Sequence, residues 1–397
     1  MKLKATKLAG ALVVAAACLA SVAAKADDIR TVYKVGDGLS IGDGENLVHF
    51  QGRGQARFTF QKTEGSPVTD TFSLSRGEFR VDGFTLGKKL KYGLEFNFTT
   101  TGAKSTAAAC TNDACTTTAT VLTSTSNNGL ASLNDFYIDW VPTKEFGIQV
   151  GQFKVPFLIQ QLTSSTKQQF IDRGQASTNF FDLGRDVGAN VHGSVLDGKL
   201  NYAVFAMNGE GANSVNINSQ HLLTGVRLEV PVMGTYEYTE TDVGNSEDQN
   251  LGFGLAYAFN DNGNAAVQNS SIARYTRASH GTFDMGYKYK GISLQGALMI
   301  SRAMEGTKLT NWGYNVQAGY FFVPKTLEVA VRQGGTIFSN VAANPNNQYE
   351  YAVGMNYFPW QKGHGIKFQV NYTLLDNNGG TLGQQAHRIN TAMNLIF

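Results

Sequence analysis

Proline is scarce in this 397-residue chain, with 7 in all, and only three cysteines occur. Beyond the N-terminal segment there is no run of about twenty apolar residues, so no membrane-spanning helix is predicted. Charge of either sign is not in excess, with 33 basic residues against 31 acidic. Four of the basic residues, Lys2, Lys4, Lys7 and Lys25, sit in a leader. Without it 29 face 31, a net of −2, which leaves no electrostatic footprint for nucleic acid. G-x-S-x-G, H-E-x-x-H, a Gly-Lys phosphate loop and a dinucleotide fingerprint are all missing. The six histidines, His49, His192, His221, His280, His364 and His387, show no ligand spacing. No enzyme activity, cofactor or metal is therefore predicted, with an outer-membrane hydrolase as the less favoured alternative.

Glycine and aromatics are abundant: 44 Gly, 25 Phe and 16 Tyr. That composition favours strands joined by turns. Alternation with period two recurs along the chain, most clearly in "VHFQGRGQARFTFQ". One face reads Val48, Phe50, Gly52, Gly54, Ala56, Phe58, Phe60 and the other His49, Gln51, Arg53, Gln55, Arg57, Thr59, Gln61. Sixteen strands are predicted near 48–61, 72–84, 89–99, 133–141, 146–151, 184–194, 199–207, 220–230, 250–260, 281–289, 291–302, 312–321, 326–335, 348–358, 364–374 and 386–397. Short links such as "GK", "PTKE", "LDGK", "KG", "VPKT" and "PWQKG" alternate with long ones. Short turns at one end and long loops at the other predict an all-β, 16-stranded antiparallel transmembrane β-barrel with both termini in the periplasm. One link breaks the rule. "VMGTYEYTETDVGNSEDQN" is long on the short-turn side, and a miscounted strand or a periplasmic elaboration both fit.

The chain ends "TAMNLIF", where Met393, Leu395 and Phe397 share one face. A lipid-facing closing strand explains this, with Phe397 at the membrane interface; the ending resembles that of bacterial outer-membrane proteins, which implies that the barrel-assembly machinery reads it as a signal. Trp140, Tyr287, Tyr289, Tyr320, Phe358 and Trp360 are expected in the same girdle. At the other terminus, three lysines, the apolar stretch Leu8 to Val22 and Ala24-Lys25-Ala26 read as a signal peptide over 1–26. The barrel domain then covers 27–397, with 27–46 a short periplasmic segment. Cys110 and Cys115 lie in a Thr-, Ala- and Ser-rich external loop; export to an oxidising compartment predicts a disulfide between them.

Residues 152–186 hold too many apolar side chains for a free loop: Phe153, Phe157, Leu158, Ile159, Phe170, Ile171, Phe180 and Phe181. A loop folded into the lumen as a constriction would cover them, as would packing on the rim or on a neighbouring subunit. Lys154, Lys167, Arg173 and Arg185 are the candidate charges of that zone. Inward-facing Arg53, Arg57, Arg76, Arg80, Arg227 and Arg332 are candidates for an anion path along the wall, where acids such as Glu78 and Asp82 also face inward.

Several stretches resemble the phosphate-selective porin O/P family: "LNDFYIDWVPTKEFGIQVGQFKVPF", "RDVGANVHG", "LNYAVFAMNG", "NWGYNVQAGYFFVPKTLEVAVRQ", "YAVGMNYFPW" and "KFQVNYTLL". The resemblance implies a sixteen-stranded homotrimeric barrel with an infolded third loop and a basic lumen. It further implies an arginine ladder and a lysine cluster. Arginines of the first two strands fit the ladder, whereas no lysine cluster is assigned from the sequence. The expected function is passive diffusion of small hydrophilic solutes through the outer membrane, anions preferred and phosphate among them. The expected surroundings are outer-membrane lipid, lipopolysaccharide and small anionic or neutral solutes. A surface adhesin or purely structural barrel is the alternative from a different class.

The closed loop between Cys110 and Cys115 is short, so its bond should contribute about 2 kcal/mol at most, as local ordering. Intact mass after alkylation, with and without prior reduction, is expected to show both thiols blocked until reductant is added; two thiols alkylated without reductant would exclude the pairing.

Overall fold

The computed structural model describes residues 29–99, 131–214, 222–261, 277–304, 310–339, 347–360 and 363–397. The segment 1–26 read as a signal peptide and the predicted disulfide of Cys110 and Cys115 lie outside these residues. A short hairpin, β1 (Arg30–Lys34) and β2 (Gly38–Gly42), comes first. The barrel strands are β3 (Leu47–Thr63), β4 (Thr69–Thr85), β5 (Leu90–Asn97), β6 (Ser132–Thr143), β7 (Phe146–Lys154), β8 (Arg185–Val195), β9 (Leu200–Met207) and β10 (Leu223–Met233). They continue as β11 (Asn250–Asn260), β12 (Ala278–Tyr289), β13 (Ile292–Ala303), β14 (Thr310–Val323), β15 (Leu327–Phe338), β16 (Gln348–Tyr357), β17 (Ile366–Asp376) and β18 (Gln385–Ile396). Each pairs antiparallel with the next, and β18 pairs with β3 from Ala386↔Thr63 to Ile396↔Arg53, which closes the cylinder. All sixteen strands read from the sequence are present, and the count was not in error at the anomalous link.

Burial is inverted relative to a soluble protein. On β14, Trp312, Val316 and Tyr320 are 53–54% exposed on the outside, while inward Asn311, Asn315 and Gln317 are at most 5% exposed. Such an apolar outer face is stable in hydrocarbon, and a closed ladder leaves no strand edge unpaired there. The same alternation places Met393, Leu395 and Phe397 outside at the end of β18. Trp140, Tyr320 and Trp360 are exposed at the short-turn end, as the girdle requires. Phe358 is a correction: it is fully buried, turned inward against Phe321 at 5.5 Å and His364 at 5.8 Å. It continues the alternation of β16, in which Glu350, Ala352, Gly354 and Asn356 face inward and Tyr351, Val353, Met355 and Tyr357 outward, and its N–H still donates to Thr326 O (2.8 Å), so Phe358 falls on the lumen face.

The segment 27–46 contains a hairpin that the sequence reading did not anticipate. Strand β2 pairs with the lower part of β3, from Leu39↔Phe50 to Gly42↔Leu47. This is the same edge that β18 occupies higher up. Phe397 N–H donates to Gly52 O (3.0 Å) and Gly52 N–H donates to Phe397 O (2.6 Å), so the terminal residue is part of the ladder. The anomalous link, 234–249, is an elaboration: it folds back into the barrel, and Glu240, Thr241 and Asp242 are buried.

Deleting Phe397 removes the last backbone pair of the seam and the interfacial ring together. A strong drop in folded protein recovered from outer membranes is expected, with unchanged conductance in whatever assembles. Wild-type yield of the truncated chain would show that the terminus is dispensable.

Candidate functional site

The long connection between β7 and β8, 155–184, enters the lumen and packs on the wall formed by β9 to β17. It carries a single helical turn, α1 (Ile159–Leu162), and a wider turn over Ser177–Phe181. Val155, Phe157, Leu158, Ile159, Phe170, Ile171, Phe181 and Leu183 are at most 4% exposed. Burying each large side chain contributes roughly 1.5–3 kcal/mol, which answers what covers this apolar segment.

The receiving wall is built from small and amide residues. Inward Ala256, Ala258, Ala297, Ala330 and Ala352 are all at most 4% exposed. Gly313 and Gly319 allow the closest approach: an added Cβ would meet the Phe181 ring at 2.3 Å and the Gln169 amide at 1.9 Å. Amides then supply many of the bonds to the loop. Gln160 donates to Gln317 (3.1 Å), Gln169 donates to Ser293 (2.8 Å) and Glu328 (2.7 Å), and Asn371 accepts from the Ile171 N–H (2.8 Å).

The insert 234–249 fills the short-turn end of the same half. Tyr236 donates to Asp284 and Tyr238 to Glu229. Those carboxylates also bind Arg227, which is 2% exposed and donates to Asp284 (2.8 and 2.9 Å), Glu229 (2.7 Å) and Phe157 O (2.7 Å). Open space is left against the β3–β9 wall, in two chambers. The upper one, about 450 Å³, is bordered by Arg53, Arg76, Arg80, Lys154, Arg173 and Arg185 with Glu78, Glu95 and Asp135. The lower one, about 850 Å³, is bordered by Lys88, Lys89, Lys91, Lys144, Lys154 and Arg227 with Asp139 and Glu229. Gln149, Lys154 and Leu162 belong to both chambers, so the passage between them runs past Lys154.

The upper carboxylates are matched. Arg53 pairs with Glu78 (2.9 Å), Arg80 lies 3.7 Å from Glu95, and Arg185 takes Asp135 (2.8 Å) and Glu95 (3.3 Å). Three cations are held by neutral oxygens and form no ion pair among the described residues. Arg76 donates to Gln55 (2.5 Å) and Ile171 O (3.3 Å). Arg173 donates to Gln160 O (2.6 Å) and Thr163 O (3.1 Å). Lys154 donates to Leu162 O and Thr163 O, both 3.3 Å. Burial pulls the Arg173 guanidinium below its ordinary value, opposed by Asp182 and Glu240. Sharing Thr163 O keeps the Lys154 and Arg173 nitrogens within the sum of two hydrogen bonds. Two unit charges about 6 Å apart repel by roughly 3 kcal/mol at an effective dielectric near 20, which an anion between them would relieve.

Six of the ten basic residues picked from the sequence thus meet at the upper chamber. The other four do not. Arg57 grips Asp172 of the loop through two bonds (3.0 and 2.7 Å). Burial would raise that carboxyl, but Arg57, with Arg76 and Arg388, overrides it and holds the group below the usual carboxylate range. Arg332 binds Glu350 and Asp172 O (2.8 Å) and lies over the Phe170 ring at 4.3 Å. Arg227 anchors the insert at the border of the lower chamber, and Lys167 is exposed on the loop but borders neither chamber. The sequence reading missed Lys88, Lys89 and Lys144 because they sit in turns, outside the strand alternation used to find lumen residues. Among the described residues no group of three or more His, Cys, Asp or Glu is placed to hold a metal ion.

The fold and site together define a membrane β-barrel whose lumen is narrowed by an infolded loop and lined by basic side chains. The sequence model for phosphate-selective porin O and P matches residues 48–395, and the chain belongs to that family, which places it in the outer membrane. An uncharacterized protein of Aquifex aeolicus (strain VF5) is 24% identical over 261 residues, 61% of this chain and 62% of that protein, so the match spans less than two thirds of the relative. The fold is shared with an anion-selective porin from Comamonas acidovorans at 13% identity, covering 89% of this chain and 100% of that one, TM-score 0.58. It is also shared with Salmonella typhi OmpF in complex with daunomycin, at 14% identity, 90% and 100% coverage and TM-score 0.59. A trimer form of Vibrio cholerae OmpT matches at 11% identity, 89% and 99% coverage, TM-score 0.53.

The loop depends on bare backbone at its docking wall. Gly319→Val puts branched carbons where Gln169 lies, and overpacking of this kind costs about 1–3 kcal/mol. The barrel should still assemble, while protease cuts within 155–184 that the wild type resists. Equal resistance would show that the loop does not need this contact.

Proposed function

We propose that this protein is a non-catalytic outer-membrane channel through which small hydrophilic solutes diffuse passively, anions preferred and inorganic oxyanions such as phosphate among them. The observation that carries the reading is the trio Arg76, Lys154 and Arg173. Each is held by neutral acceptors, and all three stand in a chamber whose carboxylates are already paired. A fixed surplus of positive charge at a narrow point lowers the barrier for anions and raises it for cations. Salt screens over about 8 Å at physiological ionic strength, too far to cancel charges that a passing ion must touch. The lysines of the lower chamber extend the same sign of field to the periplasmic mouth. The expected assembly is a homotrimer in outer-membrane lipid and lipopolysaccharide, supported by the fold it has in common with an outer-membrane protein recorded in trimer form.

In a planar bilayer under a salt gradient, the wild-type reversal potential should indicate anion preference. Replacing Arg76, Lys154 and Arg173 together by Gln should move it toward cation preference and leave the barrel folded, because none of the three is a partner of a buried carboxylate. A wild-type channel without anion preference, or a triple variant indistinguishable from it, would overturn the proposal.

A further inference from the structure

Tyr236 and Tyr238 of the insert 234–249 pack against the apolar cluster of the constriction loop, and Glu240 bonds to the loop's backbone. The Glu240 N–H donates to Lys167 O (3.0 Å), and Glu240 Oε2 accepts the Gln169 N–H (2.9 Å). From the wall, Lys367 Nζ donates to Thr166 O (3.1 Å) and Gln168 O (2.7 Å), while Asn356 and Gln369 donate to Gln169 O (2.8 and 3.2 Å). Every carbonyl from Thr166 to Gln169 is thus gripped by a side chain or backbone from outside the loop. The grip combines one buried cation with one buried anion: Lys367 is 0% exposed and Glu240 is 3% exposed.

The gripped segment lies between the two pieces of loop that form the upper chamber. On one side Ser165 accepts from Arg53 (2.5 Å); on the other, Ile171 O receives Arg76 and Asp172 receives Arg57. The insert is fastened in turn to the barrel floor. Asp242 accepts the Gly291 N–H (2.7 Å), and Tyr236 and Tyr238 bind carboxylates of β12 and β10. Glu240 itself borders neither chamber.

We infer that Glu240 is a positioning residue for ion selection: through it the periplasmic insert holds 166–169, and so fixes where Arg53, Arg76 and Arg173 stand around the narrow passage. The inference rests on the channel reading above. A floppy loop averages the charges over a wider opening, so loosening this grip lowers selectivity and makes the open current noisy.

The test compares wild type with Glu240→Ala, Glu240→Gln and Glu240→Asp in planar bilayers, measuring reversal potential and open-channel noise. Heat-modifiable gel migration reports folding. Glu240→Gln keeps an acceptor for Gln169 and should behave as wild type. Glu240→Ala should shift the reversal potential toward zero and raise the noise, although it removes a negative charge and would by charge alone strengthen anion preference. Glu240→Asp, shorter by one methylene at equal charge, should give the same shift in smaller measure. Overturning results are a folded Ala variant with wild-type selectivity and noise, or an unfolded Ala variant beside an Asp variant that matches wild type. A wild type lacking anion preference would instead defeat the channel reading, and the noise comparison would still judge the grip.

Discussion

Docking of the 155–184 segment on the β9–β17 wall decides where anything can pass through this barrel. The cylinder alone would be a wide, featureless tube. A few aromatic and aliphatic side chains, Phe157, Phe170 and Phe181 among them, bring the loop down on one half of the lumen. The hydrophobic effect supplies the drive and the small-residue wall supplies the room. Everything polar then divides. The covered half keeps amides such as Gln160, Gln169, Gln317 and Asn371 together with buried, bonded charges such as Glu328, Arg332 and Lys367, and the open half keeps the charges that border the chambers.

That division also explains why so many strand arginines are not free. A guanidinium buried under the loop must have partners, since an unpaired buried charge is far costlier than a paired one. Arg227 with Asp284 and Glu229, and Arg332 with Glu350, meet this requirement at the cost of any direct role toward a solute. Polar side chains in a lumen of this kind therefore have two separate tasks, holding the partition and presenting a field. Alternation along a strand does not distinguish them.

The architecture was legible because lipid imposes a strict period on every strand, and sixteen repetitions of that period leave little freedom in the count. The infolding of 155–184 was legible because its apolar side chains needed cover. Partners were not. Arg53, Arg57 and Arg80 look alike in an alternating pattern, and only three-dimensional neighbours show that Glu78, Asp172 and Asp82 take them. The small-residue register, with Ala256, Ala297, Ala330 and Ala352 inward beside Gly313 and Gly319, was visible and would have located the docking wall. Phe358 misled because it was placed in the girdle by its position at the strand end, although its parity with Ala352, Gly354 and Asn356 puts it on the lumen face.

The edge of β3 is shared between the beginning and the end of the chain. Its lower residues belong to β2 and its upper residues to β18, and Gly36 N–H meets Ile396 O (3.1 Å) where the two abut. The groups joined across this seam include Gln55 and Asn394, 339 positions apart, so closure is a rare event that waits on the whole sheet. A hairpin already seated on β3 acts as a ruler for the arriving strand. Sliding β18 one residue farther down would drive its last carbonyl into an occupied place, and a slip either way would turn Met393 and Leu395 into the aqueous lumen. The earliest-made piece of the barrel thereby sets the register of the last, and the cylinder closes in one way.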